Sequence, residues 1–272
     1  MTNAYRFDLE DRQYLKHCQN ESPILAMRGT YNEIRLDAKQ ILQVESQASQ
    51  GACAGHSLSS ILEWCYAIAT GGERLQLSRA MAYYEAQRID NIRGDNGSTI
   101  SAGVKLSKLV GLCVESLWKY PERYNSARPA NWAEITEDAA KHKIGTEIRI
   151  TSYDGYRTFL GAGIGGVHGG WNWNDTMNKK VVETFQPTNR DGGHSEAGIC
   201  LSTRVDSKDR PYVWILGSWG RNFAQSGWQE FSPTCIQQML QHPNTALVGL
   251  SDMVDIKPRK FTVEEWQNAL RI

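Results

Sequence analysis

From Leu58 onward, apolar residues fall at Leu58, Ile61, Leu62, Cys65 and Ile68, three or four positions apart, and the run stops at Gly71-Gly72. That spacing places them on one face of a helix that the two glycines end, so an amphipathic helix is predicted to open near Ala52-Cys53. A second helix is predicted after Ser78, whose hydroxyl can cap it, and to run through MAYYEAQRI. A third spans about Thr99 to Val110 and stops at Gly111. Beyond Lys143 the period changes: IGTEIRI, GICLSTRV, YVWILGSW and TALVGL are short β-like runs separated by Gly, Asn and Asp. The first half is therefore expected to be mainly helical and the second mainly sheet.

The flanks read differently. Residues 1 to about 35 are polar, mixed in charge and without a strong period, and are expected to form an N-terminal arm wrapping the domain. At the other end, FTVEEWQNALRI carries a capping box at Thr262 and Glu265, with Phe261 able to pack on Trp266, which predicts a short C-terminal helix within 256–272. No internal repeat or low-complexity tract interrupts the chain.

A length of 272 residues suffices for a large core, in one domain or in two lobes sharing a cleft. Thirty Lys and Arg balance thirty Asp and Glu, so no overall field would draw the protein to nucleic acid or to an anionic membrane. The opening MTNAYRFDLEDRQYLKHC is charged where a secretory signal needs an apolar run, and no segment approaches the roughly 20 apolar residues of a membrane span. A protein soluble as synthesised, in the cytoplasm, is expected. Cys18, Cys53, Cys65, Cys113, Cys200 and Cys235 are scattered without the close pairs of a zinc site or a disulfide scaffold. Most are expected to be buried thiols, and a reducing compartment permits one of them to be a reactive free cysteine.

That reactive candidate is Cys53. In Gln47-Ala-Ser-Gln-Gly-Ala-Cys53-Ala-Gly-His-Ser a cysteine stands where a loop becomes a helix. First-turn amides and the helix dipole there stabilise a thiolate, and the same amides can hold an oxyanion formed when it attacks a carbonyl. Gln47, six positions earlier, can bring its side-chain NH₂ to the same oxygen. The bland alternative is a small buried hydrophobe.

The segment resembles the nucleophile region of papain-like cysteine peptidases, with Gln47 matching the oxyanion-hole glutamine and Cys53 the nucleophile. Asp191-Gly-Gly-His194-Ser resembles the strand start that delivers the catalytic imidazole, and Val213-Trp-Ile-Leu-Gly-Ser-Trp219-Gly220 resembles the Trp-Asn-Ser-Trp-Gly strand. Between them, Leu77-Ser78, Tyr83-Tyr84, Gly97-Ser98, Gly111, Glu115 and Tyr120-Pro121 are similar to the framework of compact bacterial and viral members. The resemblance covers roughly residues 35 to 250. It implies an α+β fold of two lobes within 36–255, a helical one over about 45–140 and a β-barrel-like one over about 141–255, with the cleft between them. It further implies peptide hydrolysis through a Cys53–His194 pair and a thioester, a polypeptide substrate, and no cofactor.

One departure matters: Gly217 stands where the family has the asparagine that orients the imidazole. Without that oxygen the tautomer and ring angle of His194 are less well fixed, and a weaker general base is expected. Ser218 and a water are candidate substitutes. Trp219 matches the tryptophan that shields the imidazole, the alternative being a core tryptophan. Asn96-Gly97-Ser98 resembles the loop whose backbone pairs with an extended substrate, a strand-addition role.

Of the other histidines, His56 is expected to be a packing residue, His168 is a candidate for lining the cleft, and His17, His142 and His242 are expected at the surface. No spacing of His, Cys and Asp matches a zinc or calcium site, so no metal is expected. Two other readings compete. In one, the fold is kept as a binding or assembly module, a structural component of a phage or other particle, docking through the N-terminal arm or the C-terminal helix. In the other, the same thioester chemistry serves a cell-wall amidase or a transferase.

Overall fold

The structure, a computed structural model, describes residues 36–188 and 191–254 and the backbone of 19–20. The C-terminal helix expected within 256–272, and nearly all of the N-terminal arm, lie outside the described residues.

Helices make up the first half: α1 (Ala38–Ile41), α2 (Cys53–Thr70), α3 (Arg79–Ile89), α4 (Ile100–Leu109) and α5 (Trp132–Ala139). The punctuation read from the sequence is used. Ser78 caps α3 by accepting from the Met81 amide, and Thr99 caps α4 by accepting from Ala102. Helix α2 ends at Gly71, in the left-handed conformation at φ 77°, whose N–H returns to the Ala67 carbonyl. Fourteen of the eighteen residues of α2 are buried, so it is a core helix with neighbours on nearly every side. At Gly55 an added Cβ would lie 2.8 Å from the Tyr83 nitrogen, so a glycine there lets α2 and α3 approach closely. Between the same helices Arg79 clasps Glu63 with both guanidinium nitrogens, at 2.7 and 3.1 Å.

Among the described residues one eight-stranded sheet forms, all but its first strand coming from the second half. Its strands are β1 (Gln19–Asn20), β2 (Ile144–Arg149), β3 (Gly165–Trp173), β4 (Val181–Val182), β5 (Gly192–Val205), β6 (Pro211–Leu216), β7 (Trp228–Phe231) and β8 (Ala246–Met253), in the order β1-β2-β8-β3-β5-β6-β7-β4. Pairing is antiparallel except at the two edges, where β1 runs parallel to β2 and β4 to β7. Two helices interrupt this half beyond the expected strands, α6 (Tyr153–Gly161) and α7 (Pro233–Gln241). Each starts at a serine whose hydroxyl accepts from an amide three residues on, Ser152 from Gly155 and Ser232 from Cys235, and α7 has proline in its first turn.

The sheet divides the core in two. Alternate residues of its central strands face opposite ways: Ala197, Ile199, Leu216, Val248 and Leu250 join the cluster around α2, whereas Val213, Ile215 and Leu247 join Tyr156 and Phe159 of α6 and Met239 of α7. A sheet covered on both faces explains why Val167 and Ala197 are fully buried and why the strands read as short continuous apolar runs.

Candidate active site

Cys53 is the first residue of α2, and the N-cap position before it, Ala52, makes no side-chain capping bond. No N-cap side chain covers the first turn, and the helix dipole favours negative charge there. The turn ahead of the helix is held from outside: the Gly51 amide donates to Asp95 Oδ1 at 2.7 Å, and the same oxygen accepts from Tyr83 Oη at 2.7 Å.

His194 comes to Cys53 from β5, and both side chains are fully buried. Burial by itself pulls the imidazole pKa down, but the interaction with Cys53, together with the charge of Glu196, outweighs it and raises it to about 9. Trp219 stacks on the ring with centroids 4.1 Å apart and planes 14° from parallel, and Trp173 presents an edge to it at 4.8 Å. Phe223 closes the far side of Trp219 at 4.7 Å. The imidazole thus lies in an aromatic box that excludes water and sharpens every charge inside it.

Glu196 is the neighbour that was not anticipated. Its Oε1 is 3.6 Å from His194 Nε2, an ion-pair distance slightly longer than a hydrogen bond, and its side chain is fully buried. Burial raises the carboxyl pKa above its ordinary value, and His194 opposes that rise. A signal for it was present: positions 194 and 196 of one strand point to the same face, so His-x-Glu sets the two side chains side by side. Ser218, a candidate for replacing the missing asparagine, is committed elsewhere, donating to Gln47 Oε1 at 2.5 Å.

Gln47 is fixed against the segment after β6 that carries Trp219. Its backbone N–H donates to the Ser218 carbonyl at 2.8 Å, Ser46 bridges to Trp219, and the Gly220 amide donates to the Glu45 carbonyl. Its side-chain Nε2 donates to the Gln50 carbonyl at 2.7 Å, which uses one of the two amide hydrogens. On the other side, Asn96 is exposed, while Gly97 is buried in the left-handed conformation at φ 78°. The Gly97 N–H already donates to Tyr83 Oη and its carbonyl accepts from Gln87 Nε2, so this peptide is a fixed support beside the loop. Ser98 is fully buried.

Two histidines lie elsewhere than expected. His168 does not line an open cleft: it is fully buried between β3 and α2, its Nδ1 2.9 Å from Ser57 Oγ, and burial pushes its pKa down to about 3. His142 is not a surface residue but is 7% exposed, its Nδ1 2.9 Å from the Leu112 carbonyl. His56 packs as expected, edge-on to Tyr120 at 4.8 Å. Among the described residues no three His, Cys, Asp or Glu side chains converge as a metal site would require, and no helix is long and apolar enough to cross a membrane.

The sequence matches no family model and no curated protein. Solved structures are similar in fold. Xylellain, a cysteine protease from Xylella fastidiosa, superposes with a TM-score of 0.70 over 92% of this chain and 96% of its own, at 20% identity. The ragweed pollen allergen Amb a 11, a cysteine protease in its proform, gives 0.66 over 93% of this chain and 77% of its own, at 14% identity. The bromelain protease of Ananas comosus, in complex with the E64 inhibitor, gives 0.60 over 79% and 95%, at 15% identity. With a helical lobe headed by Cys53 and a mostly antiparallel sheet carrying His194, the chain has the α+β fold of papain-like cysteine proteases.

Proposed function

We propose that the protein is a cysteine peptidase in which Cys53 is the nucleophile and His194 the general base and acid. The observation that carries this reading is the meeting of a helix-first cysteine with an imidazole whose pKa is raised to about 9, under a stacked tryptophan. With Nε2 facing Glu196, Nδ1 is the nitrogen open to the thiol. His194 takes the proton from Cys53 Sγ, and the sulfur attacks a peptide carbonyl. The amide of Cys53 and the side-chain amide of Gln47 receive the oxyanion. The imidazolium then protonates the departing amine as the C–N bond breaks, leaving a thioester that water hydrolyses with His194 as base. A substrate strand would pass the exposed Asn96, with Gly97 and Ser98 buried beneath it as support and Asp95 tying that loop to the turn before Cys53.

The reading is tested by cleavage of a fluorogenic peptide library by the wild type and by Cys53→Ser. Loss of all cleavage with the fold intact supports it, and full retained activity would sink it.

One observation favours a second reading, a papain-like fold kept as a binding or assembly module. Cys53 and His194 are fully buried, and Gly217 supplies no side chain to the imidazole. That reading expects Cys53 to react with iodoacetamide as slowly as Cys65 and Cys113, whose pKa burial pushes to about 12. The peptidase reading expects rapid, His194-dependent reaction well below pH 8.5, about where a free thiol ionises.

A further inference from the structure

Resting on the peptidase reading, we propose that Glu196 is the positioning residue of the site, its carboxylate occupying the space left by Gly217 and holding His194 through Nε2. The two anomalies of the site answer each other. Gly217 is a glycine where the resemblance leads one to expect a long polar side chain, and its φ lies outside the left-handed region, so backbone conformation does not require it. What requires it is space: a Cβ built there would lie 2.8 Å from Glu196 Oε1, against 3.5 Å from the next nearest atom, the Gly227 carbonyl oxygen. The glutamate, for its part, is 1% exposed, and neither of its oxygens has a hydrogen-bond partner among the described residues. A buried carboxylate needs a positive partner. Its nearest one is the imidazole 3.6 Å away.

The same acceptor therefore reaches the ring from a different strand, β5 in place of the segment after β6, and it arrives as a charge where an amide would be neutral. A carboxylate favours the imidazolium, and with it the thiolate–imidazolium form of the pair. The groups that can titrate against His194 are Cys53 on α2 and Glu196 on its own strand, while Tyr156 on α6 senses the Glu196 charge. Trp219, stacked on one ring face, and Trp173, set edge-to-face beside it, do not titrate.

The test is a cycle read by iodoacetamide alkylation of Cys53 at pH 6 in the full chain, with thermal unfolding recorded for every variant. Glu196→Ala is expected to slow alkylation about 10- to 100-fold, by analogy with the loss seen when a partner that orients a metal-binding histidine is removed. Gly217→Asn alone is expected to slow it as well, because the new side chain collides with Glu196. Combined, Glu196→Ala with Gly217→Asn is expected to recover most of the rate, which a merely structural glutamate would not allow. Glu196→Gln keeps the oxygen and removes the charge, so its alkylation should rise again at higher pH as an ordinary thiol does, even if the alanine variant unfolds. The inference is overturned if folded Glu196→Ala or Glu196→Gln reacts with the wild-type pH profile, or if the double variant is no faster than Glu196→Ala. These outcomes are separable from failure of the peptidase reading. In that case wild-type Cys53 itself reacts slowly and is indifferent to His194→Ala; if the wild type is fast and His194-dependent yet blind to Glu196, only the positioning role falls.

Discussion

Six cysteines share this chain, and local chemistry separates Cys53 from those around it. Burial pushes Cys65 and Cys113 up to about 12 and Cys200 to about 11, which leaves them protonated near neutral pH. Cys53 instead faces a helix N-terminus and an imidazole held at about 9. At this scale Gln47 carries the sharpest prediction. Its amide nitrogen is anchored on the Gln50 carbonyl and its oxygen on Ser218, which fixes the side chain that the peptidase reading sets beside the oxyanion. Gln47→Ala should lower kcat by roughly 10²- to 10³-fold, the cost of one oxyanion donor. Because that donor acts only once a carbonyl has been attacked, the alkylation rate of Cys53 should stay near wild type. A parallel fall in alkylation would mean that Gln47 only holds the site's shape.

Helices α2 and α3 are joined by more than apolar contact. Arg79 and Glu63 are each 2% exposed and bind in a two-point clasp, and Glu63 also accepts from the Leu77 amide at 2.8 Å. Removing one partner strands the other charge inside the core. Glu63→Ala should therefore cost about 3–5 kcal/mol of stability, measured by urea unfolding. Replacing both ions with well-packed apolar residues, Glu63→Leu with Arg79→Met, should recover most of that loss, because it removes the desolvation cost along with the pair. If the double variant is as unstable as the single one, the clasp contributes specific stability beyond filling space.

For the whole molecule, the buried histidines predict how stability follows pH. His168 lies where the sheet meets α2, and its pKa is depressed from 6.5 to about 3. An unfolded chain takes up that proton as pH falls through 6.5, whereas the folded chain refuses it until about 3, so stability is lost progressively between those values. His194 has the opposite sign. Raised from 6.5 to about 9, it contributes stability that is present below 6.5 and lost as pH rises through 9. His56, held well below 6.5 by burial and then by the Arg79 charge, adds to the acid side with the same sign, and together these groups place maximum stability near pH 6.5. Urea midpoints from pH 3 to 9 should show His168→Gln flattening the acid side and His194→Gln the alkaline side. A symmetric response in either variant would mean that other groups set the profile.

Much of this was legible before any tertiary structure. Helix α2 follows from a local period ending at two glycines, α3 and α4 from a serine and a threonine that cap them, and the strands from short β-branched runs, because these signals depend on neighbours in sequence. Motif order likewise brought Gln47, Cys53, His194 and Trp219 into one hypothesis. What could not be read depends on neighbours in space. Helices α6 and α7 span nine residues each, lengths at which a short apolar run reads equally as strand, and packing on the sheet decided them. His142 and His168 are polar residues whose burial comes from elements far along the chain. Gly217 announced that an acceptor was missing, and His-x-Glu set a carboxylate beside the imidazole on one strand, but only the tertiary structure placed that carboxylate against Gly217, since which strand folds beside a gap is decided by neighbours in space.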